Sequence, residues 1–324
     1  MSRRARAGEV RFTPSAGAAE KFAGKMRPAL LSAGRSALRR LSTASTLRAE
    51  GLSVIDCHAG GEPARIVVGG LPHVPGDTVA AKREHLMAHM DGLRKLLLHE
   101  PRGYPCQNAN FIVPSAHPDA AYGFVIAEQH AVYPMMSGHN AICVATALLE
   151  SGMVVMAEPT TTFHLEAPCG LIRVDADCAA GRVTRVTLHN QPAYCMAADR
   201  DVVVDVPHHG KVRVDVAYGG MFYAIVDAED VGLAPLGPSR GREICRLGEM
   251  IKVAAREQHP VRHPTLDYVG PDILVFREPY ARLPCGGLRA RNGWPCRMAR
   301  SIGRLLPRGR ACSTAHRAAR ARAL

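Results

Sequence analysis

The stretch Tyr133-Pro134-Met135-Met136-Ser137-Gly138-His139-Asn140-Ala141-Ile142 places a hydroxyl where a helix should begin. The spacing of Ile142, Ala145, Leu148 and Leu149 predicts a helix over His139–Glu150, with Gly152 just beyond its end as the C′ residue. The first turn of a helix presents backbone N–H groups that have no intrahelical partner. They favour an anion such as an amino-acid carboxylate. Ser137 therefore has two readings. It is either an acid/base group beside a bound anion or, as for most isolated Ser-Gly pairs, an ordinary N-cap. Ten cysteines are scattered without a CxxC, which argues against a disulfide framework or a zinc site and for free thiols.

The elements that must position these residues are set by periodicity and turn residues. Strands are expected at 53–56 and 65–68, separated by Ala59-Gly60-Gly61-Glu62-Pro63. Leu86, Met90, Leu93 and Leu97 predict one helix from Thr78 to His99, stopped by Pro101-Arg102-Gly103. Further strands are expected at 110–113, 123–126, 161–165, 171–174, 183–188, 202–206, 212–216, 222–226 and 272–276, with a helix at 244–256. Many strands with few long helices indicate an α+β protein rather than a doubly wound sheet. No dinucleotide or phosphate-loop fingerprint is present.

The net charge of +12 belongs to the ends of the chain. Residues 1–50 hold 11 Lys and Arg against 3 acids, and residues 280–324 hold 11 Arg and no acid. The 229 residues between them carry 19 bases and 26 acids, the balance of an ordinary acidic domain. The basic ends lack interleaved aromatics and any nucleic-acid motif, so no nucleic-acid partner is expected. No apolar run is long enough to span a bilayer, and no membrane partner is expected. Residues 1–50 have a Ser/Arg-rich composition like that of a mitochondrial presequence. Glu9, Glu20 and the lack of an amphipathic stripe favour a disordered basic extension, or a start codon placed too early, and a cytoplasmic location.

Five segments in order resemble the proline racemase family. They are Asp56-Cys57-His58-Ala59-Gly60-Gly61-Glu62-Pro63-Ala64-Arg65; Glu100-Pro101-Arg102-Gly103; Met136-Ser137-Gly138-His139; Asp205-Val206-Pro207; and Ala217-Tyr218-Gly219-Gly220-Met221-Phe222-Tyr223-Ala224. The resemblance covers roughly residues 52–279. It implies a fold like diaminopimelate epimerase, in which two similar α/β lobes close on the substrate and each supplies one acid/base residue. The first lobe would span 51–175 and the second 176–279. The resemblance also implies a small imino-acid substrate, no metal and no cofactor, and it allows a homodimer. Ser137 stands where the family usually has Cys. A serine hydroxyl is a poor base unless another group activates it. Ser in the first position with Cys in the second resembles the 3-hydroxyproline branch, which implies dehydration or 2-epimerisation of trans-3-hydroxy-L-proline. The alternative is a proline or 4-hydroxyproline racemase-type isomerase. By the same resemblance the backbone N–H groups of Gly138 and His139 hold the carboxylate. Asp272 then either faces the substrate amine or merely caps a strand.

The family's second motif, Asp-Arg-Ser-Pro-Cys-Gly-Thr-Gly, does not occur, so the second lobe is expected to be incomplete. Cys285 and Cys296 are poor replacements. Gly287, Asn292-Gly293 and Pro295 break any helix that Cys285 could open, and Cys296 lacks a glycine cradle. The genetic code offers another account. Reading the degenerate codons of Cys312 to Ala323 from the third base of the Cys312 codon permits Leu-Asp-Arg-Ser-Pro-Cys-Gly-Thr-Gly, and every fixed base agrees. Residues 280–324 are therefore expected to be an out-of-frame translation, which also explains a tail rich in Arg and free of acids. As written, the chain is expected to turn over little or no substrate.

Overall fold

The computed structural model describes residues 51–282 and 288–293. The expectations for residues 1–50, and for all but nine residues of 280–324, fall outside that range. The first lobe is one seven-stranded sheet whose spatial order follows the chain. Its strands are β1 (Ser53–Ala59), β2 (Glu62–Gly69), β3 (Ala109–Val113), β4 (Ala120–Ala127), β5 (Thr160–Ala167), β6 (Gly170–Ala179) and β7 (Arg182–His189). The expected lobe boundary at residue 175 falls inside β6. The sheet runs on to His189 because β7 pairs with β6 from Arg173↔His189 to Ala179↔Arg182.

Two helices cross from β2 to its parallel neighbour β3: α1 (Val79–His89) and α2 (Asp91–Leu98). A parallel pair needs such a crossover. The sequence predicted one helix here, but Met90 (φ −126°, ψ 18°) leaves helical geometry and divides it. α1 is capped by the Thr78 hydroxyl, which accepts from Ala81 N at 3.0 Å. α2 opens on Asp91, whose carboxylate accepts from Arg94 Nε at 2.6 Å and Nη2 at 2.9 Å, and from the Tyr133 hydroxyl at 3.2 Å. Asp91 thus ties α2 to the segment leading into Ser137.

Arg94 is 3 % exposed and its Nη1 is buried without a partner, so its charge depends on Asp91. The Arg94 guanidinium holds the Asp91 carboxyl down at about 2. The unfolded value is about 3.9, so this pairing stabilises the native state fully above pH 4 and the gain disappears as pH falls toward 2. Asp91→Asn should therefore cost about 2 kcal/mol at pH 7. The difference from the wild type in urea-unfolding midpoint should shrink steadily between about pH 4 and pH 2. A pH-independent difference would rule out this account.

The helix α3 (Gly138–Glu150) is the centre of the first lobe. Ten of its thirteen residues are buried, from His139 to Leu149 with only Ile142 partly open. A helix that is apolar all round needs cover on every side. The sheet supplies it by curling until β1, β2, β6 and β7 all touch α3. Gly152, at φ +74°, ends the helix as expected.

The second lobe has a sheet of β8 (Val202–Val206), β9 (Gly210–Tyr218), β10 (Phe222–Asp227), β13 (Ile273–Arg277) and β16 (Asn292–Gly293). The helix α4 (Gly241–Gln258) packs on β8 and β13. Two short ladders join β11 (Val261–Arg262) to β12 (Val269–Gly270), and β14 (Ala281–Arg282) to β15 (Leu288–Arg289). The second half repeats the first. In β1–β4 an antiparallel pair is followed by a parallel pair across a helical crossover and then by another antiparallel pair. The series β9, β10, β13, β16 does the same with α4 as its crossover. In the first lobe, β4 is followed by Ser137 and α3. Among the described residues nothing follows β16, and α3 has no counterpart. One hydrophobic core runs from α3 into α4, with Phe124, Leu148, Leu165 and Ile172 joining Val214, Phe222, Ile251 and Phe276 in a continuous cluster.

Candidate active site

Ser137 is the N-cap residue of α3 in an extended conformation, but its hydroxyl makes no capping bond. Oγ instead lies 2.9 Å from His139 Nδ1 and accepts from Asn140 Nδ2 at 3.1 Å. Ser137 thus holds the N-cap position without using its hydroxyl as the capping acceptor. The first intrahelical bond runs from Ala141 N to Ser137 O at 3.0 Å, so the N–H groups of Gly138, His139 and Asn140 lie ahead of the ladder. Gly138 is exposed, and a Cβ there would meet no atom within 4 Å. The mouth of the helix is open at the point where an anion would dock.

Polar side chains below Ser137 hold this arrangement. His139 Nε2 lies 3.1 Å from Asn108 Nδ2, and Asn110 Nδ2 donates to Asn140 Oδ1 at 2.8 Å. Asn108 is 5 % exposed, and Asn110 and Asn140 are fully buried. Sequence reasoning singled out Ser137, Gly138 and His139, which lie together at the head of α3, and missed the three asparagines. Their signal was present: Gln107-Asn108-Ala109-Asn110 puts amides at the entry of an otherwise apolar strand, and Asn140 lies one helical turn from Ser137.

The opening motifs prove to be scaffolding. The Arg65 guanidinium pairs with Asp56 at 2.8 Å and 2.9 Å and donates to the carbonyls of Leu97 at 2.9 Å and Arg102 at 2.6 Å. Its backbone N–H donates to Asn108 O at 2.7 Å. Gly103 admits no side chain, since a Cβ there would lie 2.2 Å from the Leu98 carbonyl carbon. The motif at 217–224 brings the second lobe to the site. Gly220, at φ +93°, turns the chain against Met136, whose Cβ would lie 3.0 Å from any Cβ at position 220.

Asp272 stands just ahead of β13 in the second lobe. Its carboxylate is engaged by Arg256 and the Tyr268 hydroxyl, and its N–H donates to Phe222 O at 3.1 Å. The pairing with Arg256 is compatible with the strand-capping alternative and leaves open whether the carboxylate also faces a substrate amine. Tyr268 is buried and its hydroxyl is pushed well above the usual phenol range, first by burial and then by the Asp272 charge. Cys285 and Cys296 lie outside the described residues. The seven described cysteines are all free. Cys169, whose N–H reaches Met135 O, is pushed up to about 12 by burial.

Residues 54–282 match the family model described as proline racemase. The chain belongs to the proline racemase family. A protein of Rhizobium rhizogenes named 4-hydroxyproline 2-epimerase 1 is 37 % identical over 254 residues, which are 77 % of this chain and 72 % of that one. A 4-hydroxyproline 2-epimerase of Streptosporangium roseum is 41 % identical over 210 residues, 65 % of this chain and 62 % of its own. A crystal structure of a hydroxyproline epimerase from Agrobacterium vitis with bound trans-4-OH-L-proline superposes with a TM-score of 0.70 at 33 % identity, covering 83 % of this chain and 77 % of that one. The expected α+β fold of two lobes therefore stands, as does the assignment to an enzyme family of racemases and epimerases. Among the described residues no helix is long and apolar enough to cross a membrane.

Proposed function

We propose that this chain carries the first-lobe half of a site that moves a proton at the α-carbon of a hydroxyproline-like imino acid, and that the reaction is 2-epimerisation of 4-hydroxyproline. The observation that carries the reading is Ser137. Its Oγ is withdrawn from capping and fixed by His139 and Asn140 beside an open helix N-terminus. The names of the relatives favour 4-hydroxyproline over the 3-hydroxyproline dehydration expected from the sequence.

The chemistry is set by the arrangement. The imino acid's carboxylate docks on the N–H groups of Gly138 and His139. The α-proton is barely acidic, so the carbanion needs donors aimed at the carboxylate and a site closed to water. The turn at Gly219-Gly220 supplies one wall of that closure against Met136. Inversion needs an acid and a base on opposite faces, and Ser137 serves one face. The other face belongs to the missing second-lobe Cys. The same reading holds that the chain is translated out of frame from some point after Pro279. The family match, which stops at residue 282, supports it, as does the motif permitted in the shifted frame.

Dehydration of trans-3-hydroxy-L-proline is the second reading, favoured by a hydroxyl rather than a thiol at position 137. An elimination needs only one strong base, with Ser137 donating or orienting. The experiment uses a chain whose 3′ end is read in the shifted frame. With α-deuterated trans-4-hydroxy-L-proline we expect deuterium loss and formation of the 2-epimer without water elimination. Elimination product from trans-3-hydroxy-L-proline, with no exchange on the 4-isomer, would replace the first reading by the second.

A further inference from the structure

We propose that Asn108 fixes the tautomer of His139 and so makes Ser137 the proton-donating face of the site. Asn108 is a positioning residue in this scheme, and the role rests on the reading of Ser137 as an acid/base group. An amide nitrogen has only hydrogens to offer. With Asn108 Nδ2 at 3.1 Å, His139 Nε2 must accept, and the neutral ring then carries its proton on Nδ1. That nitrogen lies 2.9 Å from Ser137 Oγ, so the imidazole donates to the serine.

The second donor is set in the same way. Asn140 Oδ1 takes the Asn110 amide at 2.8 Å, which leaves Asn140 Nδ2 to donate to Oγ at 3.1 Å. Oγ thus accepts twice, and its own hydrogen is left to point out of the pair. A serine–histidine pair built for nucleophilic attack runs the other way, with the imidazole accepting from the hydroxyl. Here the Oγ–H bond breaks, a Cα–H bond forms on the carbanion, and the electron pair stays on Oγ as an alkoxide. Two N–H donors meet that charge, and hydrogen bonds to a charged form favour it. The proton returns from solvent or, in the reverse direction, from the substrate's α-carbon.

This wiring also gives the opening motifs a purpose. Asp56 fixes the Arg65 side chain, the carbonyls of Leu97 and Arg102 hold its far end, and the Arg65 backbone N–H anchors Asn108 O at 2.7 Å. The Asn108 main chain is therefore anchored where its side chain meets His139.

The test reads the tautomer directly, without substrate, in the full chain labelled with ¹⁵N-histidine. Long-range ¹H–¹⁵N spectra at pH 8 are expected to show His139, identified by its loss in His139→Gln, with Nδ1 protonated and Nε2 bare. Asn108→Asp offers only acceptors and should draw a proton onto Nε2. Asn108→Leu removes the donor and should move the tautomer ratio toward Nε2–H by about tenfold, the weight of one buried hydrogen bond. A protonated Nε2 in the wild type overturns the proposal, and so does a bare Nε2 in Asn108→Asp. If neither variant folds, the wild-type spectrum decides alone. Because no substrate is present, the result is independent of the turnover assays that test the functional reading.

Discussion

Ser137→Ala in the frame-restored chain is expected to lower turnover of trans-4-hydroxy-L-proline by about 10³-fold, the usual weight of one positioned acid or base. Affinity for the substrate should change little. The carboxylate is held by backbone N–H groups at the head of α3, and an alanine there leaves them in place. The loss should therefore fall on kcat and spare KM, the pattern of an interaction made only in the transition state. Ser137→Cys is the informative companion. A thiol at a helix N-terminus ionises more readily than a hydroxyl and is the better base. It should keep turnover and, when the reaction starts from the epimer whose α-proton faces position 137, raise the rate of deuterium loss. Rates for Ser137→Ala within a few-fold of the wild type, measured by α-deuterium exchange, would remove Ser137 from the mechanism.

Much of the frame around Ser137 was legible in the sequence because local rules decide it. The helix over His139–Glu150 was visible from its apolar spacing and its Gly152 stop, and both stand. The strands were visible as short β-branched runs between turn residues. The division of α1 from α2 was missed because Met90 is a good helix former and the apolar spacing runs through it; the one local signal was Asp91-Gly92. The lobe boundary was misplaced for a similar reason: β7 looks alike whichever sheet it joins, and only its register with β6 assigns it.

The site divides along the same line. A hydroxyl at a helix start is a one-dimensional pattern, so Ser137, Gly138 and His139 could be read. Asn108 lies 31 residues from His139 in the chain, and their contact is a product of β3 passing beneath α3. No periodicity announces such a contact. Asp272 shows the same limit. A carboxylate at a strand entry has the same appearance whether it awaits a substrate amine or an internal arginine, and Arg256 is the partner it meets. The motifs that carried the resemblance turn out to act mostly at one remove. Asp56 and the Arg102 carbonyl hold Arg65, whose N–H anchors Asn108, while Gly220 lets the second lobe approach Met136.

The largest effect is expected from the far end of the chain. As written, the protein should turn over hydroxyproline at or near the uncatalysed rate. A version read in the shifted frame should gain at least about 10³-fold, since it recovers the second member of the acid/base pair. The second lobe repeats the strand plan of the first through β16, and beyond it, where the first lobe has Ser137 and α3, the proposed shifted frame permits Pro-Cys-Gly-Thr-Gly. A helix entered through such a cradle would present a thiol and backbone N–H groups to the same carboxylate from the opposite side. It would also bury the apolar face that α3 buries in the first lobe, so the restored chain should be more resistant to urea, with a larger m value from the added buried surface. Sequencing the 3′ end of the gene checks the premise, because the codons of residues 312–323 must spell the motif one frame over. Comparing the two chains checks the consequence. Equal turnover and equal m values would mean that the Arg-rich tail is the protein's own and that the second acid/base group lies elsewhere.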